Sequence, residues 1–123
     1  MKDLFYNYIK DLQNKITQEL EAIDGKKCFK EDLWERLEGG GGRTRILENG
    51  NVIEKGGVNI SSVNGALPKK MQNYFKVGKV DFFACGLSLV IHPINPMAPT
   101  VHANWRYFET VSYTHLRAHE TRI

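Results

Sequence analysis

Residues 82–108 read FFACGLSLVIHPINPMAPTVHANWRYF, and this stretch decides the fold. Phe82 to Ile91 and Thr100 to Phe108 are apolar runs of strand length, rich in β-branched and aromatic residues. Between them, His92-Pro93-Ile94-Asn95-Pro96-Met97-Ala98-Pro99 holds three prolines, which forbid a helix and fix a stiff extended loop. Side chains alternate faces along a strand. Leu87, Leu89 and Ile91 therefore point one way, and Ser88, Val90 and His92 the other. On the second run Val101, Ala103, Trp105 and Tyr107 share a face, opposite His102, Asn104 and Arg106. Paired as a hairpin, the two runs collect Ser88, His92, His102, Asn104 and Arg106 on one side of a sheet. A polar strand face is ordinarily just solvated, but solvated faces favour Lys, Glu and Thr. Two imidazoles, an amide, a hydroxyl and a guanidinium are instead the equipment of an anion-binding or acid–base site.

Upstream, Phe5, Ile9, Leu12, Ile16, Leu20 and Ile23 recur in steps of 4, 3, 4, 4 and 3, the spacing of one helix face over residues 4–23. Gly25 stops that helix. A second short helix is expected over Lys30 to Leu37, with Leu33 and Trp34 inward. Gly39-Gly40-Gly41-Gly42 should break regular structure. A strand follows at residues 43–47, and Asn49-Gly50 is a hairpin signal because type I′ turns need φ > 0 at both central positions. Val52 to Glu54 returns, Lys55-Gly56-Gly57 reads as a bulge or close backbone approach, and residues 58–63 continue extended. Residues 66–79 read as a loop and a short helix. Helices first and then strands joined by tight turns predict an α+β fold, an antiparallel sheet flanked by helices.

The whole chain has 123 residues, enough for one domain. Apolar residues with Tyr are 41%, charged residues 25% and aromatics 11%, which speaks against wholesale disorder. No run reaches the ~20 apolar residues of a membrane span, and the charged start shows no secretory signal. Cys28 and Cys85, 57 positions apart, exclude a disulfide framework and a four-Cys zinc site, and imply reduced thiols in a cytosol. Cys85 belongs to an apolar strand and reads as buried and inert, whereas Cys28 lies near Lys26 and Lys27. Net charge is +3 but uneven: residues 1–42 carry 7 basic and 9 acidic groups, residues 43–123 carry 10 and 5. The second part thus suits an anionic ligand. Nucleic acid is not expected, since only Lys69-Lys70 among the basic residues of that part are adjacent. The glycine run lacks the Gly-Lys-Ser/Thr of a nucleotide loop.

Gly39–Thr44, Glu54-Lys55-Gly56-Gly57-Val58-Asn59-Ile60-Ser61 and Gly86-Leu87-Ser88-Leu89-Val90-Ile91-His92-Pro93 occur in one order. Asn95-Pro96, Pro99-Thr100-Val101-His102-Ala103-Asn104 and Arg106-Tyr107-Phe108 follow. In these motifs, from the first helix to about Glu109, the chain resembles the oxygen-dependent coproporphyrinogen oxidases of haem biosynthesis. The resemblance implies oxidative decarboxylation of two propionates of coproporphyrinogen III to vinyls, giving protoporphyrinogen IX. It implies O2 as the oxidant, no organic cofactor, a cytoplasmic homodimer and no membrane span. It puts His102 at the proton-donor position and Ser88, Asn104, Trp105 and Arg106 at substrate-contact positions. It makes His92 and His102 ligands of a divalent metal. By strand alternation, however, the Trp105 side chain should face away from the ligand. Ile94 stands where the family commonly has Arg, which removes a cation from the loop.

Family members are more than twice as long as this chain, so the sheet is expected to be incomplete because the chain is truncated. Residues 1–110 read as the N-terminal part of a coproporphyrinogen oxidase domain. Residues 111–123 depart from the family and read as a non-family tail, resembling a translated adaptor sequence. A rival reading pairs His115 and His119 on a helix face around zinc, a weak signal without a third ligand. With its later partners absent, the strand at residues 100–108 is expected to present an unpaired edge. Two functions follow: the oxidase, or a fragment without turnover that at most binds porphyrin-like polycarboxylate anions.

Overall fold

The computed structural model describes residues 1–76, 78–110 and 113–122. The first element is helix α1, Lys2–Asp24. Ile9 is fully buried on its inner stripe, with Phe5, Leu12, Ile16 and Leu20 packed beside it. The stripe ends sooner than its spacing implies, because Ile23 is 61% exposed. Gly25 closes the helix in the left-handed region, φ 71°, and its N–H donates to Glu21 O.

Six strands follow: β1 Lys30–Glu35, β2 Gly40–Glu48, β3 Ile53–Ala66, β4 Asp81–Pro93, β5 Val101–Thr110 and β6 Tyr113–Arg122. They form one antiparallel meander in chain order. Helix α2, Lys69–Phe75, lies between β3 and β4; of the loop and short helix expected over 66–79, residue 77 is outside the described residues. The architecture is α+β, with α1 on one face of the sheet.

Three expectations are corrected. Lys30–Glu35 is a strand, not a helix: it pairs with β2 from Lys30 opposite Ile46 to Glu35 opposite Gly41. Its helix-favouring residues are overruled by hydrogen bonds to a strand remote in sequence. The glycine run does not end regular structure either. Gly39 and Gly40, at φ 118° and 97°, make the turn, whereas Gly41 and Gly42 lie inside β2. There a Cβ on Gly41 would meet the Trp34 carbonyl, and one on Gly42 the Trp34 ring and Ile60 O. The β5 edge, finally, is covered along its length by β6, from Val101 opposite Arg122 to Thr110 opposite Tyr113. A bare strand edge offers N–H and C=O groups that any extended segment can satisfy. Of the segment 111–123, residues 111, 112 and 123 lie outside the described residues.

The Asn49-Gly50 hairpin forms, but not as a two-residue I′ turn. Asn49 alone takes a positive φ, 56°, and strand pairing closes at Glu48 opposite Lys55. The reversal is held by Asp24, whose carboxylate accepts the N–H groups of Lys27, Asn51, Val52 and Ile53 at 2.9–3.1 Å. The Ile53 bond leads in holding this buried carboxyl far below the usual carboxylate range against its desolvation. The irregularity expected at residues 55–57 falls just before, between Ile53 and Lys55.

Ile9 of α1 shares one buried cluster with Val58, Ile60, Leu87, Leu89 and Ala103 of the sheet, and Phe5 stacks on buried Tyr107 at 5.6 Å. Gln13, fully buried, ties the layers together. Its Nε2 donates to Arg43 O (2.8 Å) and Val58 O (3.0 Å), and its Oε1 accepts from Arg43 Nε.

Candidate functional site

With α1 spent on one face, the alternate residues of every strand turn to the other. The register gathers them. Ser88 lies opposite Asn104, Gly86 opposite Arg106 and Val90 opposite His102, and directly opposed residues share a face. His92 lies opposite Lys55 and two positions along from Val90, which makes it a diagonal neighbour of His102. Ser88, His92, His102, Asn104 and Arg106 thus stand on the same side of the sheet. Trp105 stands on the other side, packed against the core, as strand alternation requires.

Two cross-strand rows run through the middle of this outer face. One is polar: Thr44, Asn59, Ser88 and Asn104 on β2 to β5. The next is low: Gly42, Ser61 and Gly86, ending at Arg106. The Trp34 ring lies against Gly42, but little side-chain bulk rises above Ser61 and Gly86, and a hollow of about 550 Å³ opens over them. Asn59, Ser61, Ser88, Arg106 and Phe108 line it, with Arg117 entering from β6. Arg117 is directly opposite Arg106. Neighbouring guanidiniums repel unless an anion sits between them, and no acidic residue lines the hollow. Of the expected site residues, Ser88 and Arg106 border the hollow, and His92, His102 and Asn104 extend the same face beyond it.

Spacing on two strands could not disclose the contribution of β1, β2 and β3. Trp34 Nε1 donates to Thr44 Oγ1 at 3.0 Å, and Thr44 Oγ1 donates to Asn59 Oδ1 at 2.6 Å. The signal for Asn59 and Ser61 was their even spacing within Gly-Gly-Val-Asn-Ile-Ser; Trp34 carried none once its segment was read as helical.

The metal expected at His92 and His102 finds an incomplete donor set. Among the described residues no three His, Cys, Asp or Glu side chains converge. A pair of imidazoles does not make up the coordination sphere of a divalent ion. His115 and His119 belong to a strand rather than to a helix, which removes the basis of the zinc reading. Burial pushes the Cys85 thiol up to about 11, as suits an inert core cysteine. The Tyr107 hydroxyl donates to Glu109 Oε1 at 2.6 Å; that bond, with burial, raises its pKa. Among the described residues no helix is long and apolar enough to cross a membrane.

Comparison with known proteins follows the same residues. The sequence model described as Coproporphyrinogen III oxidase matches residues 4–121. An oxygen-dependent coproporphyrinogen-III oxidase of Coxiella burnetii is 53% identical over 103 residues, covering 82% of this chain and 33% of the relative. Coproporphyrinogen-III oxidase 1, chloroplastic, of Arabidopsis thaliana is 49% identical over 113 residues, covering 86% of this chain and 29% of its own. For the second Arabidopsis thaliana protein of that name the identity is 47%, over 86% of this chain and 48% of the relative. The chain spans less than half the length of each of these relatives, yet the match runs through the helix, the meander and the polar face alike: it belongs to the coproporphyrinogen III oxidase family.

Proposed function

We propose that this chain forms the N-terminal wall of an oxygen-dependent coproporphyrinogen III oxidase, and that the outer face of β2 to β5 receives the tetrapyrrole. The observation that carries this reading is the hollow itself: a low floor at Ser61 and Gly86 suits a broad ring, and Arg106 at its rim suits a carboxylate. Each propionate converted to a vinyl loses CO2 and a hydride equivalent. Two such losses release four electrons, the number that reduces one O2 to two waters, so O2 suffices as oxidant without an organic cofactor. Arg106 holds a propionate through two parallel hydrogen bonds. Ser88 and Asn104 orient the ring or a second carboxylate, Trp105 contributes through its backbone, and His102 donates the proton. No step is assigned to a metal at His92 and His102, since the donor set present does not complete one.

On this reading residues 1–110 belong to the oxidase domain, residues 111–123 are an appended tail, and the longer protein works as a cytoplasmic homodimer without nucleic acid. The test is O2-dependent formation of vinyl product by a longer protein carrying this segment. His102→Ala should lower turnover by about 10²–10⁴-fold; unchanged turnover would overturn the assignment.

A further inference from the structure

The hydrogen-bond chain on the outer face runs from Trp34 through Thr44 to Asn59. An indole N–H can only donate. Trp34 Nε1 therefore occupies a lone pair of Thr44 Oγ1, at 3.0 Å. The Thr44 hydroxyl keeps one proton to give, and its neighbour at 2.6 Å is Asn59 Oδ1. The oxygen end of Asn59 is thereby engaged toward β2. Its amide nitrogen is left toward β4, and Asn59 lines the hollow beside Ser61 and Ser88.

We infer that Trp34 and Thr44 fix the Asn59 amide so that its N–H₂ group, not its oxygen, faces the hollow, which makes Asn59 a carboxylate-selective binding residue. This rests on the functional reading above and supplies a donor from the side opposite Arg106. The ligand is then gripped across Gly86 on β4, by a guanidinium on β5 and an amide on β3. Asn59 is the binding residue; Thr44 and Trp34 are positioning residues. The glycine run acquires a purpose, because a Cβ on Gly42 would collide with the Trp34 ring and push the first donor away.

The test uses the 123-residue chain, ¹⁵N-labelled, with coproporphyrin III (the stable aromatic form of the tetrapyrrole) and glutarate as separate probes. Thr44→Val should move the Trp34 indole and Asn59 amide resonances; Thr44→Ser should restore both. Asn59→Ala should weaken coproporphyrin III binding about tenfold to a hundredfold. The double variant Thr44→Val/Asn59→Ala should bind no worse than Asn59→Ala, since the hydroxyl acts only through the amide. Glutarate should shift the Asn59 amide protons in the wild-type chain and in Thr44→Ser, but not in Thr44→Val. Unmoved resonances in Thr44→Val, or additive losses in the double variant, would overturn the inference. If glutarate reports on Asn59 but coproporphyrin III does not bind, the functional reading fails and the inference stands. If neither probe touches Asn59, the inference fails.

Discussion

Two glycines on the outer face should respond oppositely to the same added methyl group. At Gly86 a Cβ would approach the Trp105 carbonyl oxygen to 2.7 Å and Arg106 Cγ to 3.4 Å. The first neighbour is backbone in the strand paired with Gly86, so it cannot turn aside as a long side chain could. Forcing a methyl into a packed position costs roughly 1–3 kcal/mol. At Gly57, on the same face, a Cβ meets nothing within 4 Å, and φ lies outside the left-handed region. There an alanine narrows the unfolded ensemble and should stabilise by about 0.4–1 kcal/mol. For a chain of this size 1 kcal/mol moves the melting temperature by about 3–6 °C. Gly86→Ala should therefore lower it by about 3–18 °C, while Gly57→Ala raises it by about 1–6 °C. Thermal unfolding followed by circular dichroism reads both. Gly86→Ala also lifts the floor between Ser61 and Arg106, so coproporphyrin III binding should fall, and Gly57→Ala should spare it. Equal melting shifts for the two variants would refute the reasoning, because it rests entirely on their different surroundings.

Other outcomes follow from the same geometry. In a longer protein carrying this segment, His102→Ala should act mainly on turnover. Arg106→Ala should cost about tenfold or more in substrate affinity, only partly recovered by Arg106→Lys; steady-state kinetics separates the two. The depressed pKa of Asp24 means that its ionised form belongs to the fold. Its stabilisation is complete above the ordinary carboxylate range, near pH 4, and is lost as pH falls below it. Asp24→Asn should flatten that acid limb in denaturant titrations at pH 2 to 5 while lowering stability at pH 7. With iodoacetamide at pH 8, exposed Cys28 should be alkylated and buried Cys85 spared until the chain unfolds, as peptide mass spectrometry would read.

The elements legible in the sequence were those with a local period. The steps from Phe5 to Leu20 mark α1, and the alternation of residues 82–91 and 100–108 marks β4 and β5 and puts all five polar residues on one side. Lys30–Glu35 was misread because it has little alternating burial: as an exposed edge strand it owes its form to pairing with β2. The glycine run reads as a breaker in the sequence because its reason lies elsewhere, in the Trp34 ring and carbonyl that rest against it. The β2 and β3 side of the outer face is hidden for the same cause. Thr44, Asn59, Ser88 and Asn104 become neighbours only through register, which no stretch of sequence states by itself.

On the proposed reading the outer sheet face, not the helix-covered one, receives the tetrapyrrole. Titrating coproporphyrin III into the ¹⁵N-labelled chain tests it directly, because the ring current of a bound porphyrin marks the residues beneath it. Shifts centred on Asn59, Ser61, Gly86, Ser88, Asn104 and Arg106 are expected, with Ile9 of α1 and Leu89 and Ala103 beneath it left in place. Shifts centred on the α1 side, or none at saturating porphyrin, would contradict it.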